Sequence, residues 1–167
     1  MNFRDVSNFI KVNKEAPKPR KRLISQVKFL VIHCSDSDTC TVKDLIQWHE
    51  VERGWAKPGY TYLVRKNADV FKLGYGSEIY NHIFEYNSIS LGICLEGRFD
   101  KEHITSIQFK ALFELLTELK KIYPQAELKF HREFEGVTKT CPGLFLNPNH
   151  FREEFEKLNA KEVNNLD

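Results

Sequence analysis

Val27-Lys28-Phe29-Leu30-Val31-Ile32-His33 is the stretch on which the fold turns. Its β-branched and apolar content predicts a buried strand. The strand runs out into a polar loop, Cys34-Ser35-Asp36-Ser37-Asp38, so His33 stands at a strand end. Downstream, Thr41 can cap a helix from Val42 to Arg53 that Gly54 ends. Leu45, Trp48 and the Val51–Glu52 pair give that helix its apolar face. Tyr60–Arg65 and Val70–Leu73 read as a hairpin around Asn67-Ala68-Asp69, with Asn67 able to take a left-handed turn conformation. Ile89–Leu95 reads as another strand. Thr105 opens the strongest helix, in which Ile107, Leu112, Leu115, Leu116 and Leu119 recur near helical spacing until Pro124 stops it. Glu127–Phe130 is a short strand delivering His131, and a last helix runs from about Pro148 to Leu158. The order β-α-β-β-β-α-β-α predicts an α/β fold with a mixed central sheet flanked by helices. In such sheets, sites gather in the loops beyond strand ends. His33 and His131 both stand there, and Cys141 follows in the loop after the second.

Composition agrees with one globular domain. The 167 residues are 41% apolar and 13% aromatic, enough to enclose a core. No run approaches the ~18 apolar residues of a membrane span. Met1 to Ile10 lacks the apolar stretch and cleavage site of a secretory signal, so the expectation is a chain kept in a bacterial or phage-infected cytoplasm, or exported by a route that leaves no mark in this sequence. The net charge of +2 is unevenly spread. Arg4, Lys11, Lys14, Lys18, Arg20, Lys21 and Arg22 face only Asp5 and Glu15 within residues 1–26, whereas the remainder is mildly acidic. Pro17 and Pro19 oppose regular structure there. The expectation is a flexible basic arm over 1–26, a catalytic domain over 27–160 and a tail over 161–167. Such an arm suits a protein or anionic-polymer partner, or none. The four cysteines need not pair in a chain of this size without an export signal. Cys94, inside an apolar run, reads as a buried small hydrophobe, whereas Cys141 lies in a polar, turn-rich loop where packing gives no reason for it.

Two imidazoles and one thiolate form a catalytic zinc set: three protein ligands in a tetrahedron, with the fourth corner left to water. A single thiolate leaves the site a net charge of about +1, so the ion still acidifies that water. Spacing alone is a weak signal, because no local pair here matches a zinc-finger or His-Glu-x-x-His pattern. His49, His103 and His150 are assigned no chemistry.

Four segments together resemble the zinc-dependent N-acetylmuramoyl-L-alanine amidases, a family that includes phage lysis amidases and animal peptidoglycan recognition proteins. They are Phe29-Leu-Val-Ile-His33-Cys34-Ser35; Trp48-His49 with Gly54-Trp55 and Gly59-Tyr60-Thr61-Tyr62-Leu63-Val64; Tyr80-Asn81-His82 through Tyr86-Asn87-Ser88 to Glu96-Gly97; and His131 with Lys139-Thr140-Cys141-Pro142-Gly143. The resemblance implies that His33, His131 and Cys141 hold one zinc ion. It implies that Tyr60 and Lys139 act beside the metal as catalytic groups. His82, Thr61 and Asn87 are implied on the substrate side, although the family often has His or Asn where Thr61 stands. The loop between His131 and Cys141 is about two residues longer than in the phage relatives this chain resembles. The basic arm lies outside the resemblance.

The implied activity is cleavage of the amide between N-acetylmuramoyl and L-alanine in peptidoglycan, by a monomeric phage endolysin that binds no nucleic acid directly. The alternatives are a bacterial autolysin or recycling amidase, a peptidoglycan-binding module, and an RNA-polymerase-binding regulator. Binding-only relatives typically replace the Cys141 ligand, so its presence favours catalysis.

Overall fold

Six strands and three helices make up the computed structural model, which describes residues 3–164. The strands are β1 (Arg4–Asp5), β2 (Phe29–Cys34), β3 (Tyr62–Val64), β4 (Val70–Lys72), β5 (Ser90–Leu95) and β6 (Glu127–Phe130). They form one sheet in the order β1-β4-β3-β5-β2-β6. Only the β3–β4 hairpin is antiparallel; the other neighbours pair in parallel. β2 lies between β5 and β6, and its Leu30, Val31 and Ile32 are fully buried. Parallel strands covered on both faces read as continuous apolar runs, which is why this stretch is so legible in the sequence.

The helices are α1 (Val42–Ile46), α2 (Ser106–Ile122) and α3 (Pro148–Asn164). Leu112, Leu115, Leu116 and Leu119 of α2 meet Leu30, Ile32, Leu91, Ile93 and Leu95 of the sheet, and Phe151 and Phe155 of α3 join them. Each such side chain contributes about 1.5–3 kcal/mol on full burial, so this cluster fixes the sheet. A second cluster on the other side gathers Ile10, Cys40, Leu45, Leu63, Leu73 and Cys94. All four cysteines are free thiols, and Cys94 is fully buried. No helix of the described residues is long and apolar enough to cross a membrane.

Four expectations are corrected. The arm is part of the fold: Arg4 and Asp5 pair with Phe71 and Lys72 of β4, Ile10 enters the second cluster, and Arg22 is buried. Two prolines and a charge run hid this, because the segment is held by backbone pairing, ion pairs such as Lys72–Asp5 and scattered apolar contacts from Phe3, Val6 and Ile10 that form no regular pattern. The helix expected over Val42–Arg53 is α-helical only to Ile46 and continues as a π-helical turn, Gln47–Val51. The wider turn shifts the face, burying His49 and Glu50 and leaving Val51 66% exposed. In the hairpin turn Ala68, not Asn67, takes positive φ, at 69°. Finally, α3 continues to Asn164, into the expected tail; residues 165–167 of that tail lie outside the described residues.

Candidate metal centre

Alternation along β2 sends Leu30 and Ile32 under α2, so Val31 and His33 face the other side of the sheet. His33 is almost wholly buried there. In β6, Phe130 also enters the α2 core, and the chain turns at once through a short 3-10 turn, His131–Glu133. This brings the His131 ring to 4.5 Å from that of His33, centroid to centroid. Glu133 locks the turn: it accepts the Phe130 amide at 2.8 Å and pairs with Arg152 at 2.9 Å.

Cys141 arrives on a loop clamped from both sides. The Arg132 amide donates to the Cys141 carbonyl at 2.9 Å, and its guanidinium donates to the Thr140 and Gly143 carbonyls. Asp100 accepts the Leu144 amide at 2.7 Å. Gly143 has φ +129°, and a Cβ there would lie 2.2 Å from the Phe99 carbonyl carbon, so no other residue fits. The donor atoms of His33, His131 and Cys141 all lie within 4.8 Å of one another. Cys141 Sγ is 3.9 Å from His33 Nδ1, against the edge of about 3.5 Å that zinc–sulfur and zinc–nitrogen bonds imply for a tetrahedron. Two imidazoles and a thiolate at this spacing suit a borderline-soft divalent ion.

A chain of hydrogen bonds decides which nitrogen of His33 is available. The Ser90 hydroxyl donates its one proton to the Tyr86 carbonyl, at 2.7 Å. Toward His82 Nε2, 3.1 Å away, the same oxygen must therefore accept. His82 then carries its proton on Nε2 and accepts with Nδ1 from His33 Nε2, at 3.0 Å. That leaves His33 Nδ1 bare, on the side facing Cys141. A histidine ligand oriented in this way by a partner on its other nitrogen is the usual support of a metal site.

Burial keeps these rings neutral, as ligation requires. His82 is pushed down to about 3, first by burial. His33 falls well below the ordinary value through burial and then the neighbouring His82 and His131. His131 is lowered by burial and then by the charge of Lys139. The Cys141 thiol is raised by its hydrogen bond with Cys34 and by burial, so a cation has to supply the drive to ionise it. The Cys34 amide, 3.4 Å from Cys141 Sγ, is poised to stabilise the resulting thiolate.

The other expected site residues divide. Tyr60 lies beside the cluster, its ring 5.1 Å from His33 and 5.4 Å from His49. Burial raises its phenol well above the ordinary value, so it stays protonated. Lys139 is exposed, and its charge reaches both His131 and Cys141. The three residues expected on the substrate side all make contacts within the protein. Both ring nitrogens of His82 are engaged inside the protein. Asn87 Oδ1 accepts the amides of His82 and Ile83, both at 2.8 Å, so it braces a loop. Thr61 is only 1% exposed, in the sheet beside Gly92. Three residues that carry the site had no assignment from sequence: Ser90, Gly92 and Cys34. The glycine inside strand β5 was the available signal, since such glycines mark close approaches. A Cβ on Gly92 would sit 2.8 Å from His82 Cγ.

Comparison with known proteins shows the family and the fold. The family model described as N-acetylmuramoyl-L-alanine amidase matches residues 24–144. An endolysin of Klebsiella phage KP32 is 33% identical over 125 residues, 70% of this chain and 81% of the relative. Among solved structures, the Ph2119 endolysin from the Thermus scotoductus MAT2119 bacteriophage superposes with a TM-score of 0.78 at 28% identity, covering 92% of this chain and 99% of the other. The amidase LysC from Clostridium intestinale URNW shares the fold at TM-score 0.75 and 21% identity, over 93% of this chain and 98% of the other.

Proposed function

This chain belongs to the N-acetylmuramoyl-L-alanine amidase family, and from that premise we propose how its residues perform the reaction. It is an endolysin-type enzyme that hydrolyses the amide joining N-acetylmuramoyl to L-alanine in peptidoglycan. The proposed cofactor is one zinc ion, held by His33 Nδ1, His131 and Cys141. The supporting observation is the triangle of donors with a bare His33 nitrogen aimed into it. Zinc bound there would acidify a water toward pH ~7 and polarise the scissile carbonyl.

The chain's own groups supply the rest. The Ser90–His82–His33 relay holds the imidazole in its ligating tautomer. Lys139, on the exposed side of the cluster, offsets negative charge developing on the amide oxygen. Tyr60, kept protonated by burial and with its ring 5.1 Å from that of His33, would donate a hydrogen bond to the tetrahedral intermediate. The enzyme is made in the cytoplasm of the infected cell and acts on the wall after release. Lys11, Lys14, Lys18, Arg20 and Lys21 are exposed on one N-terminal segment, and they attract the anionic wall in a salt-sensitive way.

Digestion of purified peptidoglycan by zinc-loaded protein, followed by mass spectrometry, tests this. Free stem peptides beginning with L-alanine are expected. New reducing sugar ends without free stems would overturn the amidase reading.

A further inference from the structure

Arg22 lies outside the residues matched by the family model, on the segment expected to be a loose arm. It is nonetheless one of the most buried charges in the protein, at 8% exposure. Its backbone is tied down: the Arg22 amide donates to the Ser77 carbonyl at 2.8 Å, and Lys21 and Glu78 form an adjoining antiparallel backbone bridge. Among the described residues, the hydrogen bonds of its guanidinium all go to backbone carbonyls. Nε donates to Gly76 at 2.8 Å, and Nη1 donates to Asn87 at 2.8 Å and to Ser90 at 2.7 Å. Burial lowers its pKa, as expected for a cation out of water. A buried cation without a carboxylate is costly unless its donors find acceptors, and Nε and both protons of Nη1 do so here. Two of the three carbonyls it meets belong to the residues that hold His82: Asn87 Oδ1 fixes the His82 amide, and Ser90 Oγ fixes its ring.

We propose that Arg22 is a positioning residue for the metal centre, acting through Asn87 and Ser90 on His82 and through His82 on the tautomer of His33. The N-terminal segment is then a working part of the catalytic unit. Nη1 alone bridges the Asn87 and Ser90 carbonyls, and the Nε bond to Gly76 fixes the plane in which it does so, which holds the two residues that bond His82 at a set spacing. A flexible ammonium could bridge the two carbonyls but would lack the planar Nε anchor on Gly76 that holds the bridge in place. The proposal rests on His33 being a ligand.

The test compares Arg22→Met and Arg22→Lys with Leu116→Ala, a core change on α2 that costs stability without touching the relay. Zinc affinity is measured by competition with a chromophoric chelator. The imidazole nitrogens of His33 and His82 are followed by NMR in metal-free protein. Arg22→Met is expected to weaken zinc binding about tenfold or more and to turn the single His33 tautomer into a mixture. Arg22→Lys should recover part of both. Leu116→Ala should melt earlier with zinc affinity and nitrogen signals unchanged. An Arg22→Met protein that only melts earlier, with both readings as in the parent, overturns the proposal. If Arg22→Met does not fold, unchanged nitrogen signals in Arg22→Lys overturn it instead. A parent protein that takes up no zinc refutes the ligand set, and the tautomer signals then decide the relay alone.

Discussion

Strand β2 and the segment carrying β1 reach the same proposed metal centre by different means. β2 is six residues long, sits inside a parallel ladder, and positions His33 by burying Leu30, Val31 and Ile32 around it. β1 is two exposed residues at the sheet edge, held by ion pairs of Lys72 with Asp5 and Arg4 with Asp69. Its segment nonetheless delivers a buried guanidinium to the far side of the His33 relay. Apolar packing thus places His33, and hydrogen bonds from a segment without regular apolar patterning reach the relay behind it. The first device tolerates small volume changes, whereas the second depends on each hydrogen bond being made.

The contrast breaks most visibly at the ligands. Cys141→Ser removes the soft donor and is expected to abolish zinc uptake and lower amidase activity by about 1,000-fold or more. Cys94→Ser, fully buried on the sheet, should keep its zinc. Retained zinc in the Cys141 variant, read by metal analysis after dialysis, would remove that residue from the site.

Deleting residues 1–26 asks whether the N-terminal segment is an appendage. It strips away Ile10, Arg22 and the partner of β4, so urea unfolding should show a loss of about 3 kcal/mol or more. An unchanged midpoint would restore the reading of a detachable arm. A finer cut is Ser90→Ala, which removes the acceptor for His82 Nε2 while leaving β5 paired. Zinc affinity should fall about tenfold with little change in unfolding.

The smallest effect expected concerns Glu50, buried by the π-helical turn. Its Oε1 has no hydrogen-bond partner among the described residues, and burial pushes its carboxyl up to about 7. A raised carboxylate pKa means that the folded state holds the proton more tightly than the unfolded one. Stability is therefore lost as pH rises from about 4.5 through 7. Glu50→Gln should melt about 2–4 °C higher at pH 8, with the gain vanishing below pH 4.5. An equal gain at both pH values would mean that ionisation of Glu50 is not its source.

Much of this could be read in advance from residues whose patterning has one explanation. The apolar run of β2, the Thr105 cap and the leucine spacing of α2 each specify their element, and the cap accepts the Gln108 amide as expected. The ligand set came from resemblance, because convergence of His33, His131 and Cys141 is a property of the sheet and not of any local spacing. The relay was illegible for a physical reason. Ser90, His82 and Arg22 interact through hydrogen bonds between distant segments, which leave no periodicity and no composition signal. The π-helical turn was hidden too, since Trp48 and Val51 fit an ordinary helix as well as they fit the observed one. Ala68 at positive φ breaks the local preference outright.

X-ray absorption at the zinc edge of the loaded protein is the most direct measurement of the metal centre. One sulfur at about 2.3 Å with two imidazole nitrogens and one lighter oxygen neighbour is expected. Cys34 shares a hydrogen bond with Cys141, which makes the sulfur count decisive. Two sulfurs, or none, would contradict a site built from His33, His131 and Cys141 with one corner left for water.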